Sequence, residues 1–184
     1  MESASIAVHV QQSPAPSSIC SIVTFFCFAY RTPSWAARGS AKVIDGYYEQ
    51  YEQYGQSEEE FPEQTLITRL FATTLDAIRA LFPKIAQATR WGNRADFYSL
   101  FVSLGNLFRQ HTLPSRNVRL LARKLAKFAT DVDVSLEDPS DTGVDEPSYK
   151  YARAIEKGSN DKARRMDRHE ALIGIIQPLL RKKI

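Results

Sequence analysis

The stretch YKYARAIEKGSNDKARRMDRHEALIGIIQPLL, residues 149–180, decides the fold. It holds two helical patterns, one over residues 148–157 and one after the break at Gly158, Ser159 and Asn160. Ser159 or Asn160 suits the N-cap of the second. In that helix Leu172, Ile175, Ile176 and Leu179 recur at three- and four-residue steps and make one apolar face. Pro178 removes the donor for the Gly174 carbonyl, and a glycine at that position relieves the ring clash. At about 100° per residue, Arg165 and Arg168 fall in line with Leu172, Ile176 and Leu179, while Arg164 lies to one side. The apolar stripe therefore runs into two guanidiniums. An arginine pointing where the core points needs an anion, because a buried unpaired charge is very costly. Asp96, Glu156 and Asp161 are the internal candidates. Asp96 is the first choice, because it opens a neighbouring helix and is the only acid among residues 90–127. A phosphate or an acidic partner surface is the other kind of anion that would serve.

Working outward, the same helical grammar fills the middle of the chain. Residues 61–89 read as a long helix with Leu66, Leu70, Phe71, Ile78, Leu81, Phe82 and Ile85 on one face, kinked or split by Pro83. Asn93 is a good N-cap for a helix running to about Gln110, which buries Phe97, Leu100, Phe101, Leu104, Leu107 and Phe108. After Leu113, Pro114 and Ser115, a further helix buries Val118, Leu121, Leu125, Phe128 and Val132. Its opposite face carries Arg116, Arg119, Arg123 and Lys127. The break between these two helices is short, so they are expected to pack antiparallel, with Phe97, Phe101, Leu104, Leu121, Leu125 and Phe128 in one core. Residues 132–147 read as an acidic loop. No convincing β alternation occurs after residue 40. The fold class is all-α, an irregular helical bundle of about five to six helices with a poorly structured N-terminal segment.

That segment, residues 1–41, differs in composition from the helical domain expected over residues 42–184. Pro14, Pro16, Pro33 and Gly39 punctuate it. The apolar run ICSIVTFFCFAY, residues 19–30, is too short to span a bilayer as a helix. No Lys or Arg precedes it, as a secretory signal normally requires, so no membrane association is expected. From Lys42 the stretch KVIDGYYEQYEQY reads as a short helix, tyrosine-rich on one side.

The charge is +3 overall but arranged in blocks. Residues 45–63 hold seven acids and no base, residues 90–127 eight bases and one acid, and residues 131–146 seven acids and no base. Such blocks ordinarily form solvated faces that pair with each other. The two cysteines, Cys20 and Cys27, offer neither a CxxC pair nor a Cys/His quartet, so a structural zinc site fails on ligand count. They point to a reducing, cytoplasmic setting.

Candidate chemistry is sparse. His9, His111 and His169 are scattered, and only His169 lies near other polar groups of interest; it reads as a surface or hydrogen-bonded residue rather than a base. Ser99 has no GxSxG elbow around it, and neither a P-loop nor GxGxxG is present, so no cofactor is expected. Asp131, Asp133, Asp138, Asp141 and Asp145 lack EF-hand spacing. The basic face at Arg116, Arg119, Arg123 and Lys127 could meet a nucleic-acid backbone, but its aromatics point inward, so no stacking platform accompanies it. A solvated face is the plainer reading.

VIDGYYEQYE (residues 43–52), WGNRADFYSLF (residues 91–101) and YKYARAIEKGSNDKARRMDRHEAL (residues 149–172) resemble, in that order, the helical region that follows the catalytic domain in GmrSD-type proteins. The likeness runs over about residues 42–180. Such proteins typically begin with a ParB/sulfiredoxin-like domain bearing a DGQQR-type motif, linked to nucleotide-dependent restriction of foreign DNA, phage DNA included; some add an HNH nuclease. Neither motif occurs in this sequence. The resemblance therefore implies a helical scaffold or specificity module, inactive by itself, whose partner would be a separate catalytic domain or DNA reached through it. A misread start or a frameshift upstream of Lys42 would explain both the foreign composition of residues 1–40 and the missing domain. The alternative is a free-standing α-helical adaptor that binds a protein partner through its charged blocks.

Overall fold

Apolar residues at helical spacing produce five α-helices among the residues that the computed structural model describes, which are 64–85, 90–141, 143–156 and 162–183. They are α1 (Gln64–Leu81), α2 (Arg94–Phe108), α3 (Ser115–Glu137), α4 (Glu146–Glu156) and α5 (Lys162–Ile176). The all-α class expected from sequence is what forms. The 41/42 boundary, the short helix over residues 42–54 and the cap at Ser159 or Asn160 lie outside the described residues.

Each helix end has a local cause. α1 stops at Leu81, because the residue before Pro83 is pushed out of the helical region. The Asn93 side chain accepts a hydrogen bond from the Ala95 N–H and caps α2, as its sequence position suggests. α5 ends at Ile176, and Pro178 sits in the 3₁₀ turn Gln177–Leu179. A Cβ added at Gly174 would meet nothing within 4 Å.

Three expectations are corrected. First, α3 continues to Glu137, where the acidic loop was expected to start at Val132. Val132 and Ser135 are buried and prolong the stripe set by Leu121, Leu125 and Phe128, and Arg153 of α4 donates to the Ser135 carbonyl at 2.5 Å. Tertiary burial outweighs the acidic composition. Secondly, α2 and α3 are not the antiparallel pair that their short connection suggests. α2 packs closely against α1 and α5, and α3 against α4. The reason is that α2 is buried nearly all round, including Ser99, Ser103 and Gly105, so it is the central helix and requires neighbours on every side. The six residues expected in one core do share it, Phe97 at its edge. Thirdly, a short antiparallel pair exists: β1 (His111–Thr112) pairs with β2 (Arg181–Lys182), in the register His111↔Lys182 and Thr112↔Arg181.

At the centre, Trp91 stacks on Phe128 with centroids 6.4 Å apart, and Phe128 meets Tyr151 edge-on at 5.1 Å. These rings join α3 and α4 to the 3₁₀ turn Arg90–Gly92 that leads into α2. Among the described residues, no helix is long and apolar enough to cross a membrane.

Candidate functional site

The acid singled out from sequence, Asp96, sits in the first turn of α2 and is 1 % exposed. Two of its partners are Arg90 and Tyr151. Oδ2 accepts from Arg90 Nη1 at 3.1 Å, and Oδ1 accepts from the Tyr151 hydroxyl at 2.9 Å. Arg90 also donates to Asp133 of α3 through Nη2. One guanidinium thus ties the start of α2 to α3, while Tyr151 ties α2 to α4.

Arg168 enters this network from α5. It is 2 % exposed, as its place on the apolar stripe of the helix requires. Its positive charge acts on Asp96, on Tyr151 and on the half-buried Tyr98. Arg165 is half-buried, and its charge also acts on Tyr98. Arg164 Nη1 reaches the Arg153 carbonyl at 3.5 Å. Glu156, another internal candidate, pairs with Arg153 at 2.6 Å, and Asp161 lies outside the described residues.

Burial raises the Asp96 pKa above its ordinary value, against the lowering effects of the Tyr151 hydrogen bond and the charges of Arg90 and Arg168. Burial likewise pushes the Tyr151 phenol well up, and the Asp96 charge adds to it. Tyr151 therefore stays a neutral donor. The arrangement is a structural junction: two acids, a phenol and two guanidiniums held by four helices and one turn.

His169 is bonded within the core. Its Nδ1 lies 2.8 Å from Ser103 Oγ, and its Nε2 lies 3.3 Å from Asn106 Nδ2. Burial lowers its pKa to about 4. Ser103 is fully buried, and its contact agrees with the reading of His169 as hydrogen-bonded.

The surface tells a different story at α3. Arg116, Arg119, Arg123, Lys124 and Lys127 are all exposed. Lys127 bonds Asp131 at 2.5 Å, one turn further on, and this contact raises its pKa. Arg116, Arg119, Arg123 and Lys124 have no acidic partner among the described residues. The expected mutual pairing of the charge blocks is seen at Lys127–Asp131 and Arg90–Asp133. The acids of residues 138–145 serve turns instead. Asp138 accepts from Ser140, Asp141 from the Gly143 N–H, and Asp145 from the Ser148 N–H.

Sequence reasoning missed Arg90 and Tyr151. A signal for Arg90 was its place beside Trp91, whose burial fixes the turn. Nothing in the YKYARAIE text distinguishes Tyr151 from Tyr149, yet Tyr151 is fully buried and Tyr149 is 41 % exposed. Groups of three or more His, Cys, Asp or Glu arranged to hold a metal do not occur among the described residues. Comparison with models of known families, with curated proteins and with solved structures finds no match.

Proposed function

We propose that this chain is a helical scaffold module of the GmrSD-like kind, which positions a nucleic-acid backbone for chemistry carried out by a separate catalytic domain. The observation that supports the reading is the exposed strip Arg116, Arg119, Arg123 and Lys124, four cations along one side of a 23-residue helix with no acidic partner among the described residues. Phosphates spaced along a duplex are the natural counter-charge for cations repeated along a helix. The α2–α5 core behind the strip acts as a rigid mount. Contacts of this kind set register without reading sequence.

Fluorescence anisotropy with a short DNA duplex tests the proposal. If all four cations meet phosphates, log K should fall with log salt at a slope of roughly −3.6, about −0.9 for each contact. Arg119→Glu combined with Arg123→Glu should abolish binding without moving the thermal midpoint, since both side chains are exposed. Binding that is indifferent to salt or to this double change would sink the proposal. A stable complex with a protein partner, formed without DNA through the same strip, would favour the adaptor reading instead.

A further inference from the structure

The cations of α3 have neighbours on another element. The chain enters α3 from β1, and β1 pairs with β2, which carries Arg181 and Lys182. Three hydrogen bonds fix β2 at this corner. The Lys183 N–H donates to the Gln110 carbonyl at 2.7 Å, and Lys183 Nζ to the Phe108 carbonyl at 2.6 Å. From α3, Asn117 Nδ2 donates to the Leu179 carbonyl at 2.6 Å. Asn117 is next to Arg116, and Leu179 comes two residues before Arg181. That one bond therefore sets the N-terminal end of the strip beside the start of β2.

Arg181 and Lys182 are both exposed, and neither has an acidic partner among the described residues. Facing residues of an antiparallel pair share one side of the ribbon, and successive residues alternate sides. Lys182 shares a side with His111, whose Nδ1 meets the Leu107 carbonyl of α2. Arg181 shares the other side with the exposed Thr112, so it is turned away from the central helix. Like charges gathered on one surface repel each other, and a polyanion relieves that repulsion.

We propose that β2 is a second arm of the phosphate-contacting surface, with Arg181 and Lys182 as its contacts and Asn117 as the residue that positions it. The inference rests on the reading of α3 as a backbone-binding strip, and it extends the footprint to six cations on two elements. Asn117 acts through the Leu179 carbonyl and not on a phosphate.

Salt-dependent fluorescence anisotropy on the full chain, with the same short DNA duplex, tests the proposal. Six contacts should give a slope of log K against log salt of roughly −5.4, where α3 alone gives roughly −3.6. Arg181→Gln with Lys182→Gln should return the slope to roughly −3.6 and leave the thermal midpoint in place, since both side chains are exposed. Asn117→Ala should flatten the slope in the wild-type background and change nothing further in the double variant, a result that a merely structural role would not produce. Thr112→Glu sets a carboxylate opposite Arg181 and should remove about one contact, a check that leaves the β2 sequence intact. A slope of roughly −3.6 that none of these changes moves would overturn the second arm and leave the α3 reading standing. A wild-type chain that does not bind the duplex at all would overturn both.

Discussion

Replacing Arg90 by alanine probes the junction at its most economical point. The Arg90–Asp96 pair is 3.1 Å long, with side chains 9 % and 2 % accessible, so the change strands a carboxylate that water cannot reach. Removing one partner of a buried pair costs about 3–5 kcal/mol. The lower end applies, because Asp96 keeps the Tyr151 hydrogen bond and the nearby charge of Arg168. The other partner, Asp133, is 44 % accessible and loses little. At about 2–4 °C per kcal/mol for a chain of this size, a loss of about 3 kcal/mol lowers the thermal midpoint by roughly 6–12 °C. The deficit should also depend on pH. Burial already raises the Asp96 pKa, and losing Arg90 removes one of the influences that hold it down. A folded-state pKa above the unfolded value of 3.8 means that the folded form binds the proton more readily. Stability is then greatest below that value and declines as pH rises through the folded pKa. The Arg90→Ala deficit should accordingly shrink as pH falls from 7 towards 4, and in an Asp96→Asn background it should largely disappear at any pH. Differential scanning calorimetry across that range, on both single variants and the double variant, is the assay. A midpoint unmoved at pH 7, or a deficit equally large in the Asp96→Asn background, would refute the reasoning.

Other changes test separate parts of the fold. Phe101→Ala empties a site 4 % exposed between Phe71 and Phe97 and should cost roughly 3–5 kcal/mol by denaturant unfolding; an unchanged midpoint concentration would mean that the ring does not pack. The His169 pKa is lowered from 6.5 to about 4, so the unfolded chain binds the extra proton, and stability should fall by up to about 3 kcal/mol as pH drops through that window. His169→Gln should flatten that part of the pH–stability curve, and an identical slope in both proteins would count against the assignment. Gly174→Ala places a methyl group in open space within α5 and should stabilise by about 0.5–1 kcal/mol, read as a rise in midpoint.

The sequence made the helices legible wherever burial is one-sided. Leu121, Leu125 and Phe128 announce α3, and Asn93 announces the start of α2, because a stripe and a cap are local signals. α2 itself was misjudged for the same reason. A helix buried on every side has no polar face to orient it, so periodicity could not reveal that its neighbours are α1 and α5. At the junction, the burial of Arg168 followed from its place on an apolar stripe, and Asp96 was singled out as the acid that opens a neighbouring helix. Their connection through Arg90 and Tyr151 did not, because it depends on how a 3₁₀ turn and a distant helix are set against each other. The strip on α3 was visible as a pattern. That Arg116, Arg119, Arg123 and Lys124 stay without acidic partners among the described residues became apparent only once the acids of residues 138–145 were seen to serve turns.

The pairing of β1 with β2 has a consequence for the order of folding. The Lys183 N–H donates to the Gln110 carbonyl, Lys183 Nζ to the Phe108 carbonyl, and Asn117 to the Leu179 carbonyl. These bonds fasten the corner between α2 and α3 to a segment more than sixty residues later. Closing so long a loop is entropically unfavourable until the intervening helices have condensed. The clasp should therefore be set last, on a ribosome only after Lys183 has cleared the exit tunnel. Until then the central helix lacks α5, one of its walls, and its apolar surface is open to whatever chaperone is at hand.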